Sequence, residues 1–165
     1  VEELKPLLDE KTVFLANYNT PKQLVISGLK DAVSSVCEEA KSLGAKRALM
    51  LSSSGAFHTP FMDEASQLFA SYLAGKSFEK PCKKLLCNTS GEVLNGAIKE
   101  EMVSQIVSSV YFYQSVEQAI EMGVDTFIEI GPKSVVKGMI KKVDRKVLVL
   151  HISTLEDLAK LKDLN

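Results

Sequence analysis

Residues 125–153 read DTFIEIGPKSVVKGMIKKVDRKVLVLHIS, and the pattern of this stretch indicates the fold class. Two apolar runs, at 125–130 and 146–153, flank a segment at 133–142 that predicts a helix, and Gly131-Pro132 breaks the first run. Strands that alternate with helices form at least partly parallel sheets, because a helix makes the crossover between them. The stretch therefore predicts an α/β fold.

The sequence before this stretch alternates in the same way. Two apolar runs at 12–18 and 23–27 surround the turn residues Asn19-Thr20-Pro21, which predicts an antiparallel pair of strands. A helix is predicted at 31–43, where Gly44 provides a C-terminal cap. The other predicted elements are helices at 1–10, 98–107 and 155–164, a helix that begins at Thr59-Pro60, a helix that ends near Gly123, and strands at 47–52 and 84–88.

Composition sets limits on the class of protein. The chain has 165 residues, of which 45% are apolar and 25% charged, so it is long enough for one globular domain or two small subdomains. A net charge of −1 argues against a dedicated nucleic-acid-binding protein, and no apolar run is long enough to cross a membrane. Three scattered cysteines predict free thiols in a reducing cytosol rather than a disulfide framework or a metal site.

His58 is the first residue to which chemistry can be assigned. It lies between a predicted strand end and a predicted helix start, and functional groups in α/β folds gather in such loops. The positive end of a helix disfavours a charged imidazole, and a neutral imidazole can accept a proton as a general base. A histidine that merely precedes a helix remains the alternative on these residues alone.

Other polar features carry less weight. His151 lies in an apolar run, which favours a structural position, and Gly131-Pro132-Lys133-Ser134 lacks the glycine spacing of a phosphate loop. No serine occupies a GxSxG elbow. A basic stripe predicts either a solvated helix face or a docking site for an anionic ligand or an acidic protein: Lys133, Lys137, Lys141, Lys142, Arg145 and Lys146.

Several linked segments, taken in order, resemble one enzyme family. They are NYNTPKQLVISG at 17–28, GAKRA at 44–48, SGAFHTPFM at 54–62, VDTFIEIGP at 124–132, and VKGMIKKV at 136–143. Together they cover nearly the whole chain and resemble the malonyl-CoA:acyl-carrier-protein transacylases. The resemblance favours the functional interpretation of His58.

The resemblance implies an acyltransferase of fatty-acid biosynthesis in the cytoplasm, with malonyl-CoA and acyl carrier protein as its partners. Serine and histidine would act in a ping-pong mechanism that needs no cofactor, with the coenzyme A thioester as substrate. His58 matches the catalytic histidine, and the backbone carbonyl of Gln105 matches the group that orients the imidazole. Asn17, Asn19 and Gln23 match polar positions of the cleft. Phe57 matches the position that selects malonyl over larger acyl groups.

The chain also departs from the family pattern. It lacks the GQGSQ-like segment, the GHSxGE nucleophile motif and the motif of the arginine that binds the malonyl carboxylate. The chain has two arginines, Arg47 and Arg145, and neither matches that arginine motif. We therefore expect a chain that begins partway through a longer protein and is inactive without the N-terminal half of the same enzyme. The implied fold is part of a ferredoxin-like small subdomain at 1–52, without its first strand, followed at 53–165 by the C-terminal portion of a larger α/β acyltransferase domain.

Two alternatives stay open on the sequence. The chain could belong to the acyltransferase domain of a polyketide or multifunctional fatty-acid synthase, which neighbouring domains would distinguish. It could also be a non-catalytic ferredoxin-like binding module that has kept the scaffold without the nucleophile.

Overall fold

A computed structural model describes residues 2–162, in which five α-helices and four β-strands are present. The strands form two separate two-stranded sheets, one antiparallel and one parallel. This mixture of helices and strands confirms the α/β class. Among the described residues, every helix is too short or too polar to span a lipid bilayer.

The antiparallel sheet is the predicted hairpin. Strand β1 (Val13–Thr20) pairs with β2 (Gln23–Gly28) through a tight turn, with Val13 opposite Gly28 and Thr20 opposite Gln23. Gly28 is required by close packing, since a Cβ atom there would lie 1.9 Å from the carbonyl oxygen of Thr12. Val13 and Thr20 at the two ends of β1 are buried, and β1 lies against the later part of the chain.

Helix α1 (Lys30–Ser42) follows the hairpin, within one residue of its predicted limits. Its buried side chains are Val36 and Cys37, and α1 packs against β2. Gly44 adopts a φ of 95° just after the helix, and its N–H donates to the carbonyl of Lys41 at 3.0 Å. The predicted glycine cap is therefore confirmed, because only glycine adopts this backbone conformation without strain.

Helices α2 (Asp63–Ala74) and α3 (Ile98–Ser104) pack against each other in the middle of the chain. A short 3₁₀ turn at Pro60–Met62 precedes α2, and the hydroxyl oxygen of Thr59 accepts the N–H of Phe61 at 3.3 Å. The predicted cap at Thr59 and the predicted proline at the first helical position are both confirmed. Helix α3 is shorter than predicted, since the chain tightens into turns after Ser104.

The parallel sheet lies in the last third of the chain, where the β–α–β pattern predicted it. Strand β3 (Thr126–Ile130) pairs in register with β4 (Leu148–Ile152), and helix α5 (Val136–Val143) connects them. Helix α4 (Phe112–Glu121) packs against α5. The main buried cluster forms here, on one side of the sheet, from Val116, Ile140, Val147 and Val149.

Two predicted terminal helices are wrong in type. Of the segment predicted at 1–10, the first residue lies outside the described part of the chain, and residues 2–10 contain a 3₁₀ turn at Lys5–Leu7 instead of an α-helix, since Pro6 has no N–H to continue a helix. The segment predicted at 155–164 contains a 3₁₀ helix at Glu156–Leu161, and its last two residues lie outside the described part of the chain.

Two predicted strands are also wrong. Residues 47–52 form no strand, and Leu49, Met50 and Leu51 are between 49% and 67% exposed. A strand needs a neighbouring backbone, and none of the described residues pairs with this run. Residues 84–88 form only an isolated bridge between Leu86 and Val93, because the chain reverses immediately at the turn that follows.

Candidate active site

His58 occupies a turn whose backbone is held in an unusual conformation. Its φ is 60°, in the left-handed region, which histidine tolerates better than bulky residues do. Two hydrogen bonds hold the turn from the α2 side, since the buried Thr59 hydroxyl donates to the carbonyl of Ala56 at 2.6 Å and accepts from Phe61. A third joins the His58 N–H to the carbonyl of Ile106 at 3.2 Å. The surrounding contacts thus offset a backbone strain of about 1–3 kcal/mol.

The His58 imidazole meets the backbone carbonyl of Gln105 on α3's C-terminal turn. Nδ1 of His58 lies 2.9 Å from the Gln105 oxygen, so the tautomer that satisfies this contact carries its proton on Nδ1 and donates it. The carbonyl is free to accept because it follows the end of α3, and no backbone N–H of residues 2–162 donates to it. The carbonyl thus fixes one ring nitrogen without placing a carboxylate beside it.

The other ring nitrogen of His58 is available for chemistry. Nε2 makes no hydrogen bond within residues 2–162, and in the Nδ1–H tautomer it carries a lone pair. A neutral imidazole in this arrangement can accept a proton through Nε2 and return it, while the Gln105 carbonyl stabilises the charged form that exists in between.

Strand β1 lies beside the segment that carries Gln105. Asn17 bridges to Val110 in parallel fashion, the N–H of Tyr18 donates to the carbonyl of Val110 at 2.8 Å, and the N–H of Val110 donates to the carbonyl of Ala16 at 2.8 Å. The rings of Tyr18 and Tyr111 stack with their centres 4.7 Å apart. Burial, followed by the neighbouring Tyr111, raises the pKa of Tyr18 to about 12, so its hydroxyl stays neutral. The fold therefore brings both β1 and the His58 turn against residues 105–111.

The side chains predicted for substrate binding divide into two groups. Asn17 and Asn19 on β1 are half-buried, and their amides make no hydrogen bond within the described residues, which leaves them free to bind. Phe57 is 47% exposed beside His58, and its ring lies against Gly55. Gln23 is placed differently, because its side-chain oxygen accepts a hydrogen bond from Lys142 of α5 at 3.3 Å.

One residue near this site was not singled out from the sequence. The side-chain amide of Asn88 donates to the side-chain oxygen of Gln105 at 3.0 Å. In the sequence Asn88 only precedes the Ser90-Gly91 turn, and 17 residues separate it from Gln105. The only available signal was that turn, and it does not indicate which residue the asparagine contacts.

The second histidine and the basic stripe have structural contacts. His151 lies in β4, half-buried, with Nε2 2.9 Å from the carbonyl of Gly131, in agreement with the position expected for it. Lys141 donates to the carbonyl of Arg145 at 3.0 Å. The start of α5 is already occupied by Glu129, whose carboxylate accepts backbone N–H groups of Val135, Val136 and Lys137 at 2.7–3.0 Å.

Comparison with known proteins identifies the class. The acyl transferase domain model matches residues 1–160, and the chain belongs to this family. It is 44% identical over 153 residues to the malonyl CoA-acyl carrier protein transacylase of Staphylococcus aureus strain MSSA476, a match that covers 90% of this chain and 49% of that protein. The chain thus spans about half the length of the curated relatives that it matches.

Solved structures agree with this assignment. The malonyl CoA-acyl carrier protein transacylase of Clostridium perfringens superposes with a TM-score of 0.91 at 36% identity, over 99% of this chain and 52% of that one. A malonyl-transacylase in complex with the acyl-carrier protein of a type II polyketide synthase matches with a TM-score of 0.91 at 30% identity, over 99% of this chain and 54% of that one. The family resemblance seen in the sequence is confirmed.

Proposed function

We propose that this chain supplies the catalytic histidine of an enzyme that transfers a malonyl group from coenzyme A to the phosphopantetheine thiol of acyl carrier protein. The observation that carries the proposal is the His58 ring, which is held at Nδ1 by the Gln105 carbonyl while Nε2 has no partner among residues 2–162. The names of the similar proteins support the choice of malonyl-CoA and acyl carrier protein.

His58 acts as a base and as an acid in turn. Nε2 removes the proton of a serine hydroxyl, the serine oxygen attacks the thioester carbonyl, and the carbon–sulfur bond breaks. The imidazolium returns its proton to the departing coenzyme A thiolate, which leaves a malonyl-serine ester. Nε2 then removes the proton of the carrier thiol, the thiolate attacks the ester carbonyl, the bond between the acyl carbon and the serine oxygen breaks, and the imidazolium returns its proton to that oxygen. In this scheme the coenzyme A thioester is the acyl donor, and no cofactor takes part.

The remaining site residues shape the substrate end of this reaction. Asn17 and Asn19 offer unused amides beside the segment that holds Gln105. Phe57, next to the base, restricts the space at the α-carbon of the acyl group, which favours malonyl over methylmalonyl. Gln23 lines the cleft less directly, since its amide is engaged with Lys142.

The serine comes from the N-terminal half of the same enzyme in this proposal. Parallel sheets are normally covered on both faces, whereas Ile130 of β3 is 82% exposed and Leu148 of β4 is 45% exposed. A depression of about 540 Å³ adjoins Ile130, and its other apolar lining residues are Pro132, Ile152, Leu155 and Leu158. In the same proposal, residues 1–52 are part of the ferredoxin-like small subdomain, and residues 53–165 are the C-terminal part of the larger α/β domain.

A chimera tests the proposal. The complete 165-residue chain is fused after the part of the S. aureus relative that it does not match, and transfer of radiolabelled malonyl groups to acyl carrier protein is measured. We expect transfer by the chimera, a trapped malonyl-protein without carrier, and no transfer by the chain alone. A folded chimera without transfer, beside an active S. aureus protein, contradicts the proposal and favours a non-catalytic module.

A second candidate function lies within the same class. One matched structure holds a polyketide-synthase carrier protein, which makes the acyltransferase of a polyketide synthase the alternative. The chimera is therefore assayed with carrier proteins of both kinds at equal concentration. Preference for the fatty-acid carrier supports the first candidate, and preference for the polyketide carrier supports the second.

A further inference from the structure

Asn88 touches the residue that orients the candidate base. Gln105 is held at two points, because its backbone carbonyl accepts from Nδ1 of His58 at 2.9 Å and its side-chain oxygen accepts from the Asn88 amide at 3.0 Å. Asn88 itself is exposed. A neutral hydrogen bond at such a position adds little to folding stability, so its significance lies in what it restrains.

The loop that carries Asn88 is fixed along one face of α3. Thr89 donates to the carboxylate of Glu101 through its hydroxyl at 2.7 Å and its N–H at 3.3 Å. Glu101 and Gln105 are four residues apart and therefore lie on the same face of the helix. The contacts of Thr89 and Asn88 thus hold this face at two points one helical turn apart.

This attachment matters because α3 has only 7 residues. So short a helix is marginal without outside contacts, and beyond its end the Gln105–Ile106 peptide is held through a turn bond, from the Ile106 N–H to the carbonyl of Val103 at 3.2 Å, rather than by a continuing helix. The carbonyl of Asn88 also accepts the N–H of Tyr111 at 2.8 Å, so Asn88 bridges both ends of residues 105–111. The loop also packs closely against α4, since a Cβ atom at Gly91, whose φ is 78°, would lie 2.8 Å from the Cβ atom of Gln114.

We infer that Asn88 is a positioning residue, which sets the direction of the Gln105 carbonyl and thereby the tautomer and orientation of His58. This inference rests on the proposed function. Asn88 touches no reacting atom, and its effect passes through Gln105. Its loss is therefore expected to lower kcat without changing KM, because the orientation of the base matters in the transition state rather than in substrate binding.

The first test uses the complete 165-residue chain and needs no activity. NMR of ¹⁵N-histidine-labelled protein measures the tautomer of His58 and the exchange of its Nδ1 proton with water. In Asn88→Ala we expect exchange to accelerate about fivefold, the factor that corresponds to one neutral hydrogen bond. The matched control is Asn95→Ala, which removes an exposed amide without a hydrogen-bond partner in the described chain.

The second test measures kcat in the chimera, to establish whether Asn88 acts through the side chain of Gln105. Asn88→Ala and Gln105→Met, which keeps the backbone carbonyl but removes the side-chain acceptor, are each expected to lower kcat about fivefold at unchanged KM. Because both remove the same contact, the double variant is expected to be no slower than either single variant. Thr89→Val, which loosens the same loop, should change proton exchange and kcat in the same direction.

Failure of the inference about Asn88 can be distinguished from failure of the proposed function. Unchanged Nδ1 proton exchange and unchanged kcat in folded Asn88→Ala would overturn the inference, as would effects that multiply in the double variant. If Asn88→Ala does not fold, Gln105→Met decides by the same measurements. If the unmutated chimera transfers no malonyl group, the proposed function fails, and proton exchange in the chain still decides the role of Asn88.

Discussion

The two histidines of the chain lie beside different sheets, and both rings meet a backbone carbonyl at 2.9 Å. His58 does so through Nδ1, from a strained turn near the antiparallel hairpin, which leaves the outer nitrogen Nε2 free. His151 does so through Nε2, from the regular parallel strand β4. The same kind of contact thus favours opposite tautomers in the two rings, with the proton on Nδ1 in His58 and on Nε2 in His151, so the nitrogen left without a partner among residues 2–162 differs between them.

The largest expected effect separates these two rings. In the chimera, His58→Asn is expected to lower kcat about 10²–10⁴-fold, the usual contribution of a general acid–base group. Asparagine tolerates the positive φ and keeps a donor near the Gln105 carbonyl, so the fold is retained while the free nitrogen is lost. Malonyl transfer and circular dichroism are measured together.

His151→Asn is the matched control. It is expected to leave kcat close to that of the unmutated chimera, because His151 contacts Gly131 rather than the His58 turn. An equal loss of kcat in the two variants would remove the distinction between the two rings.

The next effect compares the two faces of the parallel sheet. Ile140 of α5 is 4% exposed on the covered face, so Ile140→Ala is expected to lower the free energy of unfolding by about 2–5 kcal/mol. Ile130 is 82% exposed on the opposite face of the sheet, which we call the open face. Ile130→Ala should therefore change the free energy of unfolding of the isolated chain by less than about 0.5 kcal/mol. Urea unfolding of both variants provides the measurement, and equal losses would contradict the description of an open face.

A smaller effect concerns Glu129 at the start of α5. Burial opposes ionisation, but the N–H groups of Val136, Lys137 and Val135 outweigh it, and the pKa of Glu129 is lowered from its ordinary value of 4.5. A lowered pKa means that the carboxylate stabilises the fold above pH 4.5 and that this stability is lost as the pH falls below it. Glu129→Gln should lower the free energy of unfolding by about 1 kcal/mol at pH 7, since it weakens a helix cap.

The pH dependence supplies the control for Glu129. The difference in urea midpoint between Glu129→Gln and the unmutated chain should shrink as the pH falls from 7 to below 4.5. A difference that stays constant over this range would show that the charge of Glu129 contributes nothing.

The smallest effect on stability is expected in the exposed run at 49–51. Leu51 is 67% exposed and unpaired, so Leu51→Ser should leave the unfolding free energy of the isolated chain within about 0.5 kcal/mol. Because apolar patches promote association, the same change should reduce self-association in sedimentation experiments. A large loss of stability would mean that this run packs in solution.

Local pattern predicted those parts of the fold that local contacts determine. The hairpin, α1 and the β3–α5–β4 unit carry strong periodicity and turn residues, and the Thr59-Pro60 helix start follows from backbone chemistry. The run at 47–52 has strand composition, but a strand also needs a partner, which sequence pattern cannot supply. Short runs such as 84–88 are equally ambiguous, since a reversal of the chain can interrupt them.

The candidate site shows the same division. The resemblance indicated His58 and Gln105 because motif residues mark them, and the structure places them in contact. The roles of Asn17, Asn19, Gln23 and Phe57 stay predictions, since no substrate contact tests them. Asn88 could not be predicted, because a side chain that acts through another residue leaves no motif of its own and depends on a tertiary contact.

The left-handed backbone at His58 has an evolutionary consequence. The backbone conformation limits which residues can replace His58 even where catalysis is no longer required, because most residues other than glycine, asparagine and aspartate disfavour such a turn. Descendants that abandon catalysis should therefore be enriched in those three residues at position 58. Such a substitution would mark, in a sequence, a relative that has lost the activity.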